Sequence, residues 1–396
     1  MVSRNNLEHY VWIGFVAFFP VVGFVAPRSA AALVAVTTLV TLGLFLWKER
    51  GFRALRSPVW IPLAAFLALF LFAGLVDGTS SHGIDRFSKL SLFLLIGVLL
   101  LLLIKNRVSQ NGGSVDAALL VGYSVGLVLL AFQLVTQHGL YGLLNPNNDP
   151  LDILYAANRP SVVMVISFSA AFLAVRKIGR PEFGWALAGV LTVLVLMSES
   201  QSAGAGMVVW IVVYGVAAIA PNLAIQLATW GGAGLILSMP LVFIVLLNFD
   251  TERAIEIPTA SVGARLDIWY ATSLEVLNSP IWGHGLEAAR SIKDWQIDFV
   301  YFVGPNIPHP HNGPLQIWLD LGLIGAVPAA AIWVYLSRKI RSYSVDQWPA
   351  LIAGLMAFLC VFSISHGAWQ SWWISVVFGV IGITSWVATR EITDTK

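Results

Sequence analysis

"FSKLSLFLLIGVLLLLLI", residues 87 to 104, decides the fold. After Lys89 the run is apolar but for Ser91, and its length suits a bilayer crossing, which takes roughly 20 mostly apolar residues in helical form. A membrane strand would alternate apolar and polar residues with a period of two, and this stretch does not. It therefore predicts a spanning helix.

Working outward, comparable runs occur near 10–26, 29–47, 58–76, 115–137, 161–178, 183–198, 203–220, 223–247, 314–337, 347–364 and 369–389, which makes about twelve spans. Composition agrees. Of 396 residues, 58% are hydrophobic and 11% charged, where a soluble domain carries about 25% charged residues. The mean hydropathy is +0.79. An all-α polytopic membrane protein follows, with residues 1–396 as a single integral membrane domain and no internal repeat or low-complexity tract. The net charge of +2 gives no reason to expect a nucleic-acid partner. The single cysteine, Cys360, excludes an intramolecular disulfide and a cysteine-based metal site. "MVSRNNLEHY" leads into a run of spanning length without a small-residue cleavage site, so a cleavable signal peptide is not expected.

Orientation follows from the basic residues, which concentrate in cytoplasmic loops. With both termini in the cytoplasm, 15 of the 23 Lys and Arg residues lie inside, and short loops such as "KERGFRALR" and "RKIGR" are basic. The other eight lie outside: Arg28, Arg86, Lys89, Arg159, Arg253, Arg265, Arg290 and Lys293. Two long outer connections result, 138–160 and 248–313, the second of 66 residues between the ninth and tenth spans. Loops of this length usually carry function. The second contains "ARLDIWYATSLEVL", whose apolar positions fit a helix lying outside or along the membrane.

Polar residues stand out against this background. "PHPHNGPLQIWLDLGLIGA", 308–326, opens the tenth span, with Pro314 suited to the first turn and Asn312 or Gly313 near the cap. His309 and His311 could form a metal pair, but no neighbouring Asp, Glu or Cys completes a ligand set, so no metal is expected. Alternatively, the positive end of the helix keeps His311 neutral, as a general base must be, and attracts an anion. His284 is the most plausible helper among the other outer histidines, His82, His138 and His366. Asp320, four residues after Gln316, is unfavourable in lipid and needs a partner or a wet cavity. Gly322 and Gly325 are expected to permit close helix contact. Arg159 and Arg265 each admit two readings: a surface ion pair, with Asp152 or Asp267, or a two-pronged grip on phosphate.

At this point the chain resembles a known family. His311-Asn312, then nine residues, then Gly322-Leu-Ile-Gly325, is similar to a signature of bacterial O-antigen ligases. "RLDIWYATSLEVLNSPIWGHGLEAARS", 265–291, resembles the segment preceding it in the O-antigen ligase and polymerase superfamily, and "ANRPS" around Arg159 resembles a third element. The twelve-span layout extends the likeness over nearly the whole chain. The resemblance implies a C-type glycosyltransferase-like fold in the bacterial inner membrane, with the active site facing the periplasm. The implied reaction moves O-antigen polysaccharide from undecaprenyl-pyrophosphate to a sugar hydroxyl of lipid A–core, inverting, without metal or other cofactor. His311 is implied as base, and Arg159 and Arg265 as pyrophosphate contacts, with Asn312, His309, His284, Asp320 and Gln201 as possible supports. Gln201, in "SESQSAG", marks a departure, because relatives often place an arginine there. Rival readings are an O-antigen polymerase or a protein O-oligosaccharyltransferase of the same superfamily, or a flippase for lipid-linked glycans. A flippase would place charges near the bilayer midplane and show internal symmetry. His311, Arg159 and Arg265 are expected to line one cavity.

Overall fold

In lipid, backbone N–H and C=O groups find partners only within a helix or a closed barrel, so continuous apolar runs become helices. The computed structural model bears this out. It describes residues 4–26, 28–49, 55–76, 80–106, 112–137, 139–144, 146, 155–248, 260–304 and 306–389, and among them there are helices and no strand. The His138 and Asp152 positions, and much of 138–160 and 248–259, lie outside the described residues.

In chain order the helices are α1 (Arg4–Phe18), α2 (Val22–Val25), α3 (Ala30–Glu49), α4 (Trp60–Val76), α5 (Ser80–Lys105), α6 (Gly112–Val135), α7 (Gly139–Leu144) and α8 (Asn158–Lys177). Then follow α9 (Pro181–Met197), α10 (Gln201–Ile219), α11 (Pro221–Gln226), α12 (Gly232–Asn248), α13 (Ala260–Val276), α14 (Gly313–Lys339), α15 (Trp348–Ile364) and α16 (Ser371–Thr389). Among the described residues, nine helical stretches are long and apolar enough to cross a membrane, and two shorter ones, 60–75 and 181–197, are apolar. The chain is thus a multi-pass membrane protein.

Two expected spans differ in form. The first, 10–26, is not one helix: α1 stops at Phe18 and α2 restarts at Val22. Pro20 has no N–H for a helical bond and holds its predecessor away from helical angles, which ends α1 there. Between α11 and α12, residues Leu227–Gly231 form a π-helical turn. Trp333 supplies a cause, since its indole Nε1 donates to the Ala228 carbonyl at 2.9 Å and a Cβ on Gly232 would collide with the same ring.

Helix α8 forms the centre. Buried positions make up 89% of its span, against 28% for Pro221–Leu247. Its neighbours are joined to it by buried hydrogen bonds as well as by apolar contact. Tyr123 of α6 donates to the Met164 carbonyl at 2.9 Å. Ser169 donates to the Ala350 carbonyl of α15 at 2.6 Å and accepts from Trp210 of α10 at 2.8 Å. A second apolar group joins α12, α13 and α14 through Met239, Phe243, Ile268, Leu315 and Leu319. Large side chains such as Val135 and Ile219 face outward, as lipid contact requires.

The tenth expected span is where the architecture departs most from a simple bundle. Helix α14 breaks at Gly322, whose φ of 60° and ψ of −154° are helical for no residue. The groups freed by the break find partners in the turn 280–285. His284 N–H donates to the Leu319 carbonyl at 2.8 Å and Gly285 N–H to that of Asp320 at 3.0 Å. In return, Leu323 N–H donates to the Pro280 carbonyl and Ile324 N–H to that of Ile281. The two backbones touch: a Cβ on Gly322 would lie 2.5 Å from the Ile281 carbonyl carbon, and one on Gly283 2.4 Å from that of Asp320. Gly322 therefore does more than thin a helix contact. It lets a loop dock into an interrupted span, which is tolerated because the irregular backbone is buried in protein.

Gly322→Ala should lower the melting temperature of the detergent-solubilised protein by several degrees or abolish its folded yield. The conformation alone is unfavourable by about 1–3 kcal/mol for a residue with a side chain, and the collision adds to that. Gly14→Ala, where a Cβ meets nothing within 4 Å, should fold normally in the same fluorescence-detected size-exclusion and thermal-shift assays.

Candidate functional site

Asn312 caps α14: its side-chain oxygen accepts from Leu315 N–H at 2.9 Å, and Pro314 occupies the first turn. Immediately before the cap, His311 takes the left-handed conformation with φ of 55°, which non-glycine residues rarely adopt. Strain of this kind clusters at functional sites, where the surroundings hold it in place. Here the holding contacts are visible. The His311 Nδ1 lies 3.0 Å from the Ser365 carbonyl, and its backbone N–H donates to His309 Nδ1 at 3.2 Å.

A carbonyl only accepts, so the bond to Ser365 puts the proton of a neutral His311 on Nδ1 and leaves Nε2 with its lone pair. Burial lowers the affinity of His311 for a second proton, the Ser365 bond opposes this in part, and Arg265 reinforces it. His309, whose ring centre is 4.1 Å away, is lowered to about 3 by burial first and then by His311, Arg290 and Arg159. His366 is lowered well below its ordinary value by burial, Arg159, the other two histidines and Arg265. Three neutral imidazoles thus sit together, with Arg159 acting on His309 and His366, and Arg265 on His311 and His366.

Several helix starts converge on this cluster. Ser202, in the first turn of α10, bonds the Ser365 hydroxyl at 3.1 Å, and Ser200 donates to the Asn158 carbonyl at 3.4 Å. Arg159 follows Asn158 in the first turn of α8, and its guanidinium lies over the Trp372 ring at 5.5 Å. Trp372, near the start of α16, donates to Gln370 Oε1 at 2.7 Å, which turns the Gln370 amide nitrogen to His309 Nε2 at 3.0 Å. On the far side Trp269, one turn after Arg265 in α13, donates to the Pro310 carbonyl at 2.9 Å. Helices α8, α10, α14 and α16 therefore present their positive N-terminal ends to one region, which favours an anion there. Four buried polar atoms on its walls make no hydrogen bond among the described residues: Asn158 Oδ1, Ser161 Oγ, Asn312 Nδ2 and His366 Nε2. Such orphans in a native fold call for a partner beyond the described residues.

Asp320 holds this region in place. It is fully buried, and four donors meet it: Glu287 N–H at 3.0 Å, Ala288 N–H at 3.1 Å, Gln316 Nε2 at 3.3 Å and Trp369 Nε1 at 2.6 Å. Gln316 also accepts from Ala368 N–H at 2.7 Å, which fixes its amide orientation. The pairing of Asp320 with Gln316 expected from their spacing is present. It is one part of a larger knot tying the 280–288 turn and the 365–370 connection to α14.

A cavity of about 500 Å³ opens beside the knot. Arg159, Trp369, Gln370 and Trp372 line it, together with Arg28, Arg86, Lys89 and Arg290. Arg265 and His311 are not on its wall, although Arg265 acts on His311 electrically. His284 lies elsewhere: its Nε2 is 2.9 Å from the Glu275 carbonyl and 3.6 Å from the Glu275 carboxylate, so it braces the end of α13. Gln201 is exposed at the start of α10. Asp267 is occupied by the N–H groups of Val300, Tyr301 and Phe302 at 2.6–3.0 Å, not by an ion pair with Arg265. Among the described residues no group of three or more His, Cys, Asp or Glu is placed to hold a metal ion. Sequence reading passed over Arg28, Arg86, Lys89, Arg290, His366 and Gln370 as site residues. For the four basic ones a signal existed, because each fell on the side where basic residues are not expected.

Comparison with known proteins agrees with the motif. Residues 186–330 match the family model described as O-Antigen ligase. A curated relative from Rickettsia conorii, named "Putative polysaccharide ligase", is 24% identical over 92% of this chain and 94% of its own length. Polysaccharide-ligase relatives of the same description from Rickettsia felis and Rickettsia bellii are 23% and 25% identical, over 92% and 96% of this chain and 94% and 99% of theirs. These matches support an O-antigen ligase family member, as the His311 motif suggested.

Asp320→Asn replaces one acceptor oxygen by an amide that faces other donors. Each buried group left unpaired is unfavourable by about 1–3 kcal/mol, so the variant should melt several degrees lower than the wild type. Asp320→Ala should be at least as damaging, checked by tryptophan-fluorescence melting in detergent.

Proposed function

We propose that this O-antigen ligase family member is a glycosyltransferase that moves O-antigen polysaccharide from undecaprenyl-pyrophosphate to a sugar hydroxyl of lipid A–core. On this reading both termini are cytoplasmic, the convergent helix starts face the periplasm of a Gram-negative inner membrane, and the bundle has a C-type glycosyltransferase-like fold. The observation that carries it is His311. It is a neutral imidazole whose Nε2 lone pair meets no donor among the described residues, held in a strained conformation within the field of Arg265 at a confluence of helix N-termini.

The residues fit the chemistry. The acceptor hydroxyl is a poor nucleophile, and His311 Nε2 takes its proton as the oxygen attacks the anomeric carbon of the donor sugar. The bond from that carbon to the pyrophosphate oxygen breaks on the opposite face, so the configuration inverts. The departing diphosphate is a good leaving group, and the guanidinium groups of Arg159 and Arg265 meet its charge without a proton donor or a metal. Gln370 and Asn312 orient the histidine pair and the helix start. The names of the Rickettsia relatives favour ligation over the export reading, and among superfamily rivals the acceptor decides.

Reconstitution of the purified protein with undecaprenyl-pyrophosphate glycan and lipid A–core is the test. Product on the core, detected as a ladder of long-chain lipopolysaccharide, is expected, and extension of the donor glycan instead would mark a polymerase. His311→Ala should reduce transfer by about a hundredfold or more, the range typical of general-base loss. Arg265→Lys keeps the charge and loses the fork, and should lose about tenfold, roughly one charge-assisted hydrogen bond.

The acid limb of the rate profile reports the base. Because the His311 affinity for a second proton lies below that of a free imidazole, the uncharged form persists below the ordinary His value of about 6.5. Transfer should hold through that pH and fall only at lower values. A midpoint at or above 6.5 in the kcat/KM profile would remove His311 from this role.

A further inference from the structure

The charge inside the cavity exceeds what the proposed donor can neutralise. A diphosphate linking a lipid to a sugar carries two negative charges, and Arg159 and Arg265 answer them. The wall also holds Arg28, Arg86, Lys89 and Arg290, against the acids Asp85 and Glu287. Two positive charges remain over.

The arrangement is built, not incidental. Arg86 and Arg290 converge on one carboxylate, with Nε to Glu287 Oε2 at 3.4 Å and 2.9 Å. Arg86 also donates to the Leu286 carbonyl at 2.9 Å, so its stem is fixed to the turn that Asp320 anchors. Glu287 itself is held in the left-handed conformation with φ of 55°. Lys89 shares Asp85 at 2.7 Å on the exposed side, and Arg28 stands just before α3. Trp369 and Trp372 contribute flat apolar faces beside these charges, the usual platform for the C–H face of a sugar ring. Basic residues are disfavoured on the outer side by the insertion bias, so their gathering at one cavity asks for a ligand.

Resting on the ligase reading, we propose that Arg28, Arg86, Lys89 and Arg290 form a second anion subsite that takes the phosphate-bearing headgroup of the acceptor glycolipid. The donor diphosphate stays with Arg159 and Arg265. The subsite seats the acceptor on a wall shared with Gln370, whose amide nitrogen lies 3.0 Å from His309 Nε2, so that a core hydroxyl is presented beside the histidine pair.

The experiment measures binding of fluorescently labelled lipid A–core from a deep-rough strain to the purified full chain in detergent. Wild type is compared with Arg28→Glu/Lys89→Glu, two exposed positions whose side chains hold no part of the fold together. Arg28→Gln/Lys89→Gln serves should the charge reversal misfold. The variant should bind at least about tenfold more weakly, the worth of one or two charge-assisted contacts. Acceptor stripped of phosphate by a phosphatase should bind both proteins equally weakly. Excess phosphatidylglycerol should not displace the labelled acceptor, and the variant's KM for the undecaprenyl-linked donor should move less than about twofold, well under one such contact. Unchanged acceptor affinity, displacement by phosphatidylglycerol, or a weakened donor instead of acceptor would each overturn the subsite. Charge-dependent acceptor binding with no transfer by the wild type would leave the subsite standing and sink the ligase reading alone.

Discussion

A single buried carboxyl group organises the working end of this molecule. Asp320 meets donors from the 280–288 turn, from its own helix and from the segment leading into α16. An acid deep in an apolar bundle is tolerated only when its oxygens are fully met by donors, so these segments cannot separate without leaving it exposed to hydrocarbon. The break at Gly322 belongs to the same device. It frees carbonyls and N–H groups that only the docked turn satisfies, and two glycines allow the backbones to touch. The loop that carries Glu287 and Arg290 is thereby fixed to the helix that His311 precedes.

On the proposed reading, rigidity there has a chemical use. A general base must keep its lone pair on the correct nitrogen and at the correct angle, and small displacements are costly in rate. The Ser365 carbonyl sets the His311 tautomer, and Ser365 belongs to the connection that Gln316 and Asp320 hold through Ala368 and Trp369. The arginines contribute twice on the proposed reading. They attract the diphosphate, and their field adds to burial in keeping the imidazoles uncharged before it arrives. A bound dianion would relax that pressure and make the protonated histidine easier to form. That is the direction the reaction needs.

Much of the fold was legible because lipid leaves few choices. The run at 87–104 lies within α5, and most of its companions lie on single helices, because length and the absence of alternation settle them, while 10–26, 223–247 and 314–337 are interrupted. The interruptions were less legible. Pro20 gave a local signal for the end of α1, but the break at Gly322 depends on a turn forty residues earlier in sequence, and no local pattern reveals such a partner. The site divides along the same line. The Asn312 cap and the Asp320–Gln316 pair could be read from spacing. The Ser365, Gln370 and His366 contributions could not, because the α15–α16 connection meets the histidines only in three dimensions. His284 and Asp267 were visible as polar residues, yet their partners are the end of α13 and three backbone N–H groups.

The outer basic residues carry the most general lesson. Counting them by side gives an imperfect topology rule: 15 of 23 on the favoured side and eight on the other. Placed in space, six of the eight gather at one end of the molecule. Arg28, Arg86, Lys89, Arg159 and Arg290 line one cavity, and Arg265 acts on the histidines beside it. On the proposed reading, insertion bias and ligand chemistry pull in opposite directions at these positions, and each residue that weakens the topology signal strengthens the functional one. In a chain so poor in charge, such positions would be where anions are handled.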